Sequence, residues 1–157
     1  MSRRRKQIKR VTITDPKYNS ELVAHMVNYI MKSGKKTTAE RIVYGAIDEI
    51  SKKLPEEDAL EVVTKAINNM KPQVEVKSRR VGGSTYQVPV PIKPNRQLAL
   101  ALRWLVQYAS GRHGAGMPRA VALELLDAYQ NQGNIIKKRD DTHKMAQANK
   151  AFAHYAW

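Results

Sequence analysis

The spacing of the apolar residues changes once along the chain, and this change limits the fold more than any other feature. Before Pro72, large apolar side chains recur every three or four residues in three consecutive segments, which is typical of helices with one buried face. In two short segments, 74–77 and 86–90, the period changes to the alternation typical of β-strands, and Gly82-Gly83 lies between them. A Gly-Gly pair in that position indicates a tight hairpin turn. After the hairpin the helical spacing returns.

These two periods predict a mainly α fold: a single-domain bundle of about six helices over residues 1–157. A protruding two-stranded β-hairpin arm is predicted at 72–91, between helices 3 and 4. The segment 94–109 is apolar on nearly every side, so it is predicted to be the central buried helix. A last helix is predicted over 134–157. Met145, Ala148, Phe152 and Tyr155 lie on one stripe of this predicted helix.

The charge of the chain is strongly positive and unevenly distributed. Twenty-eight lysines and arginines oppose 14 acidic residues, which gives a net charge of +14. Half of the acids lie in the segment 40–61, so the rest of the chain is the basic part. Such a field attracts polyanions, with nucleic acid as the first candidate and an anionic membrane as the second. No apolar run approaches the roughly 20 residues of a membrane span, so we expect no membrane partner.

Four basic regions are the predicted contacts with phosphate. The tail 1–14 holds too few apolar residues to fold alone, so it is expected to order on its partner. The predicted contacts of the tail, the glycine turn, the hairpin base and the fourth helix are Arg3, Arg4, Arg5, Lys6, Lys9, Arg10, Lys35, Lys36, Lys71, Lys77, Arg96 and Arg103. The predicted tip of the arm comprises Arg79, Arg80, Gly82, Gly83 and Ser84. The alternatives are a solubilising tail, a solvated turn, and charges that merely protect an edge strand.

No motif supports catalysis or a cofactor. Gly34-Lys35-Lys36-Thr37 resembles part of a phosphate-binding loop, but Tyr29 stands where its first glycine belongs, and a helix precedes it instead of a strand. The four histidines are scattered, and the chain has no cysteine. We therefore expect a protein that is not an enzyme and that needs no cofactor or metal.

Several motifs resemble the universal family of the seventh small-subunit ribosomal protein, in its bacterial form. The most specific is the hairpin sequence KSRRVGGSTYQVP at 77–89. Gly34-Lys35-Lys36, the segment LALRWL at 100–105 and the segment MAQANKAFAHY at 145–155 belong to the same pattern. The resemblance extends in order over essentially the whole chain.

The resemblance implies a structural protein of the small ribosomal subunit. Such a protein is a primary binder of the 3′ major domain of 16S rRNA and nucleates assembly of the subunit head. It lies at the subunit interface near the exit-site tRNA and the mRNA path. On this basis the basic residues above are expected rRNA contacts, with the tail from Arg3 to Arg10 threading into rRNA. Arg79, Arg80 and the tip 82–84 belong to the arm that reaches toward the tRNA.

Further partners and the location follow from the same resemblance. Small-subunit proteins nine and eleven are the implied neighbours, and the C-terminal helix suggests contact with a head or platform protein. A cytoplasmic ribosome is the expected location, with an organellar ribosome as an open alternative. The rival interpretation of the residues is an architectural DNA-binding protein whose arm uses Pro89 or Pro91 as a wedge in the minor groove.

Overall fold

The computed structural model describes residues 14–155. The helices are α1 (Glu21–Ile30), α2 (Lys36–Lys53), α3 (Ala59–Met70), α4 (Pro94–Gly111), α5 (Met117–Tyr129), α6 (Asn134–Ala148) and a C-terminal 3-10 helix (Lys150–Tyr155). Strands β1 (Val74–Val81) and β2 (Ser84–Pro91) form one antiparallel hairpin between α3 and α4. The predicted fold, a mainly helical bundle with a hairpin after its third helix, is confirmed. No helix of the described residues is long and apolar enough to cross a membrane.

Local side chains fix where α1 and α3 begin. Ser20 accepts a hydrogen bond from the backbone of Val23 and caps α1, and Asp58 accepts one from the backbone of Leu60 and caps α3. Such caps satisfy amides that have no partner inside the helix. The acidic run Glu56-Glu57-Asp58 therefore ends in the capping residue of α3.

A buried carboxylate ties the chain before α1 to α2. Asp15 is only 3% exposed, and it accepts the backbone N–H groups of Lys17 and Tyr18, both at 3.0 Å. The hydroxyl of Tyr44, on α2, donates to the same carboxylate at 2.7 Å. Burial and this hydrogen bond raise the pKa of Tyr44 to about 12. Asp15 therefore anchors this segment because its charge is satisfied by three donors.

The central helix of the bundle is α5, and the prediction that it would be the segment 94–109 was wrong. Helix α5 packs against α2, α3 and α4. Its buried residues include three alanines, Ala120, Ala122 and Ala128, which allow neighbouring helices to approach closely. On α4 only Ala101, Leu102, Leu105 and Ala109 are buried, and its other apolar side chains are half-buried. The central helix is therefore distinguished by small side chains at its contacts, and not by apolar side chains on every side.

The hairpin turns on two residues with positive φ. Gly82 and Gly83 have φ values of 58° and 89°, as a two-residue hairpin turn requires. The register pairs Val81 with Ser84 next to the turn, and Val74 with Pro91 at the base. Nearer the base, Val88 is completely buried. The base therefore rests on the helices and the tip projects, as the sequence predicts.

The C-terminal region is divided, where the sequence predicts one helix over 134–157. Helix α6 ends at Ala148, and the chain continues as the 3-10 helix. The four residues of that stripe do not form one buried face, because Met145 is 49% exposed and Ala148 is exposed. Phe152 and Tyr155 instead pack on Tyr86 of β2, with ring centroids 5.1 and 5.4 Å apart respectively. These contacts turn the chain end toward the hairpin.

Candidate nucleic-acid interface

The base of the hairpin is held by α6 and by its own backbone. Arg139 donates a hydrogen bond to the carbonyl of Asn69, just before the arm begins. The Nε2 atom of His143 accepts the backbone N–H of Gln73 at 3.0 Å, and the carbonyl of Gln73 accepts the N–H of Ile92 at 3.0 Å. Both ends of the arm are thereby joined to each other and to α6. The direction of the arm is fixed by these bonds rather than by the two strands alone.

One carboxylate gathers two cations where the hairpin meets α4. Glu75 on β1 lies 3.2 Å from Lys77 and 3.2 Å from Arg96, and its side chain is 15% exposed. Burial raises the pKa of Glu75, but the hydrogen bonds from Lys77 and Arg96 outweigh that effect and leave the pKa below its ordinary value. These three residues line a crevice of about 470 Å³, and Lys93 lines it as well. Three cations around one anion leave this crevice net positive.

The two arginines near the tip lie on opposite faces of the hairpin. Successive side chains of a strand alternate between faces. Arg79 therefore lies on the face of Glu75 and Lys77, opposite Tyr86 in the register. Arg80 pairs with Thr85 on the other face and is exposed. Arg79 and Arg80, predicted together as part of one basic tip, are thus separated by the structure.

The remaining predicted contacts lie at helix ends and on one side of α4. Arg96 and Arg103 are both exposed, and their spacing of two turns puts them on one side of the helix. Lys71 follows the end of α3, and its ammonium group donates to the side chain of Asn68 at 2.7 Å. Arg103 therefore extends the positive side of α4 beyond the crevice.

The turn between α1 and α2 presents further lysines. Lys35 and Lys36 are exposed at the start of α2, and Lys36 lies 3.8 Å from Glu40. Lys32 stands on the other side of the same turn, also exposed. The structure brings Lys32 and Lys35 to the rim of one cavity.

Sequence reasoning missed two of these cations. Lys93 lies between the second strand and α4, two elements that the sequence predicts. This position could have placed it beside the hairpin base. Lys32 is three residues before Lys35 across a glycine turn, a spacing that brings side chains together. The tail residues Arg3, Arg4, Arg5, Lys6, Lys9 and Arg10 lie outside the described residues.

The wedge expected of a DNA-bending arm has no suitable place on this hairpin. Pro89 pairs with Val76 and Pro91 with Val74, at the base of the strands. The tip instead carries Gly82, Gly83 and Ser84, all exposed. Within residues 14–155 no group of histidine, cysteine, aspartate or glutamate side chains could hold a metal ion.

The fold and this surface together define a class of protein: a small helical bundle whose hairpin, fixed at its base, presents cations together with the neighbouring helix α4. Residues 2–150 match the family described as ribosomal protein S7p/S5e. The chain belongs to this family, and the resemblance seen in its motifs is confirmed. The family is structural and non-enzymatic, which agrees with the expectation that the chain is not an enzyme.

Curated relatives match along their entire length. The "Small ribosomal subunit protein uS7" of Sorangium cellulosum is 59% identical over 157 residues, which is 100% of both chains. The proteins of the same name from Syntrophotalea carbinolica and Anaeromyxobacter sp. (strain K) are 59% and 55% identical, again over 100% of both chains. Bacterial relatives of this kind agree with the bacterial form expected from the sequence.

Proposed function

We propose that this chain is a structural constituent of the small ribosomal subunit and a primary binder of the 3′ major domain of 16S rRNA. In this role it nucleates assembly of the subunit head in cytoplasmic ribosomes. The observation that carries the proposal is the set of cations on the clamped hairpin and the adjoining side of α4, in a chain of the S7p/S5e family. For a member of a ribosomal protein family, ribosomal RNA is the polyanion that these cations would bind.

The mechanism is binding that fixes RNA geometry. The net charge of +14 steers the protein to RNA, and lysines and arginines release counterions as they contact phosphate. The crevice around Glu75 then presents Lys77 and Arg96 in defined positions, because the carboxylate holds both side chains. Cations that are already ordered lose less conformational entropy when they bind. The rigid bundle therefore imposes one arrangement on the RNA segments that it joins.

The projecting tip serves a different partner in this proposal. Arg80 and the exposed tip 82–84 reach beyond the crevice toward the exit-site tRNA and the mRNA path at the subunit interface. The exposed side of the C-terminal 3-10 helix is available to a neighbouring small-subunit protein, with proteins nine and eleven as the proposed neighbours. Its other side is occupied by the contact with Tyr86.

Stepwise reconstitution tests the primary role. The purified protein is expected to bind a transcript of the 3′ domain in the absence of every other protein, and the later head proteins are expected to add only after it. A protein that requires other head proteins before it binds the transcript would contradict primary binding. Normal addition of the remaining head proteins without it would contradict nucleation.

A further inference from the structure

A half-open cavity lies where four helix ends meet. The end of α1 and the first turns of α2 form part of it, and the last turns of α4 and the start of α5 complete it. Its volume is about 260 Å³, and its floor consists of Ile30, Ala39, Ile42, Val106 and Met117. Pockets for drug-sized ligands begin at about 300 Å³. The size of this cavity therefore suits one ring system rather than a larger ligand.

Two lysines stand close together on the rim. The N–H of Lys35 donates to the carbonyl of Lys32 at 3.1 Å, and Ser33 and Gly34 between them have φ values of 53° and 72°. Such a turn brings its first and last Cα atoms within about 7 Å. Neither Lys32 nor Lys35 forms an ion pair with any other residue in the range 14–155, whereas Lys36 pairs with Glu40.

The charge at the cavity comes from these lysines alone among the described residues. No acidic side chain lines it. The starts of α2 and α5 contribute partial positive charge, and the ends of α1 and α4 contribute partial negative charge, so the helix dipoles oppose one another. The occupant must therefore combine an apolar surface for the floor with negative charge for the rim.

We infer that this cavity seats one unpaired nucleobase of the bound RNA, with the adjacent phosphates on Lys32 and Lys35. The inference rests on the proposed rRNA binding and names a subsite within it. Unpaired bases of RNA loops are splayed out and read individually by proteins. A base supplies the flat apolar face, and the nucleotide backbone supplies the charge.

Two hydroxyl groups on the rim add polar contacts for the edge of the base. The hydroxyl of Ser110 donates to the carbonyl of Val106 at 2.7 Å, so its oxygen is available to accept from an exocyclic amino group. Thr38 is exposed on the facing helix α2. An acidic peptide with one apolar side chain is the competing occupant. The other cations of this surface and the family of the chain favour RNA.

The test fills the cavity from either side and compares RNA footprints. Ser110→Trp and Thr38→Trp each place a large ring at the rim. Thr64→Trp is the matched control, because Thr64 also lines a surface cleft, is exposed, and donates its hydroxyl to the backbone carbonyl of Leu60 at 2.8 Å. Each protein is bound to the 3′ domain transcript. Base reactivity is then read with base-modifying reagents and backbone protection with hydroxyl radicals.

At least one unpaired base is expected to be protected by the wild-type protein and by Thr64→Trp, and to become reactive again with Ser110→Trp and Thr38→Trp. Backbone protection elsewhere should persist, and affinity should fall by about tenfold, as for the loss of one stacked base. The double variant Lys32→Ala/Lys35→Ala alters only exposed side chains. Its log affinity should fall less steeply with log salt than that of the wild type, by about 1.5 in the magnitude of the slope.

Unchanged base protection in both filled variants, each with the thermal unfolding of the wild type, would overturn the inference. If neither filled variant folds, an unaltered footprint and salt slope of the double lysine variant would overturn it as well. An unaltered footprint combined with poorer incorporation of a neighbouring protein would assign the cavity to a peptide. Absence of any specific footprint with the wild-type protein would refute both this inference and the proposed function.

Discussion

Replacement of Arg112 by leucine should destabilise the protein in a strongly pH-dependent way. Arg112 follows α4, and its guanidinium lies 3.0 Å from Glu124 and 2.7 Å from Asp127, both on α5. Glu124 is only 2% exposed, and its Oε2 atom has no hydrogen-bond partner. Burial raises the pKa of Glu124 above its ordinary value even though Arg112 opposes that effect. Arg112→Leu leaves this carboxylate buried without a counterion.

Two considerations set the loss in the free energy of unfolding that Arg112→Leu should cause at pH 7. Removal of one partner of a buried pair costs about 3–5 kcal/mol. Glu124 limits the electrostatic part, because it escapes by taking up a proton. Protonation at pH 7 of a carboxylate whose ordinary pKa is 4.5 costs about 3.4 kcal/mol, at about 1.4 kcal/mol per pH unit. We therefore expect a loss of about 3 kcal/mol in the free energy of unfolding at pH 7.

The sign of the pH dependence follows from the raised pKa. The folded variant binds a proton on Glu124 at a pH where the unfolded chain does not, so stability rises as pH falls toward 4.5. At pH 5 the same limit on the electrostatic part is about 0.7 kcal/mol. The loss caused by Arg112→Leu should therefore shrink to about 1 kcal/mol.

Urea unfolding followed by far-ultraviolet circular dichroism at pH 7 and pH 5 measures both values. The matched control adds Arg112→Leu to a Glu124→Gln background, where no carboxylate remains at position 124. In that background the cost of removing Arg112 should be the same at both pH values. A loss below 1 kcal/mol at pH 7, or an equal loss at both pH values in the original background, would refute the argument.

Three further predictions concern single side chains. Tyr44→Phe removes the donor at 2.7 Å from buried Asp15 and should cost about 1.5–3 kcal/mol in urea unfolding at pH 7. It should also abolish the stability that the wild type loses between pH 10 and about 12, where only the unfolded chain releases this proton. Phe152→Ala removes one ring contact with Tyr86 and should cost about 1 kcal/mol, with faster hydrogen exchange in the 3-10 helix. Arg80→Ala should weaken exit-site tRNA binding to reconstituted subunits and change affinity for isolated rRNA less than twofold; the reverse pattern would make Arg80 an rRNA anchor.

The hairpin could be predicted from sequence because its signals are local. Gly82 and Gly83 satisfy a turn geometry that few other residues adopt, and a two-residue turn sets the register of the strands that it joins. Because successive side chains of a strand point to opposite faces, Arg79 and Arg80 lie on opposite faces. That separation was available from the sequence, although grouping both residues as one basic tip obscured it.

The central helix could not be identified in the same way. The apolar count of the segment 94–109 favours it, but burial depends on how closely other helices approach. Ala120, Ala122 and Ala128 give α5 the central position through their small size, which a count of large apolar residues does not register.

The division of the C-terminal region also depends on a distant contact. The helical spacing of 134–157 is a local pattern, whereas the end of α6 coincides with the packing of Phe152 and Tyr155 on Tyr86 in the hairpin. Likewise, the sequence shows Glu75 only as one acidic residue among several basic ones. Its role in holding Lys77 and Arg96 together depends on the approach of α4 to the strand.

Specific binding to rRNA is measured by a salt-titrated competition assay, with the 3′ domain of small-subunit rRNA as ligand and duplex DNA of equal length as competitor. For six to ten phosphate contacts, affinity should fall by roughly 10³–10⁵ between about 50 and 200 mM salt. Binding to rRNA should survive the competitor at every salt concentration. Equal affinity for both nucleic acids would show that this cationic surface recognises charge without recognising ribosomal RNA, and it would overturn the proposed function.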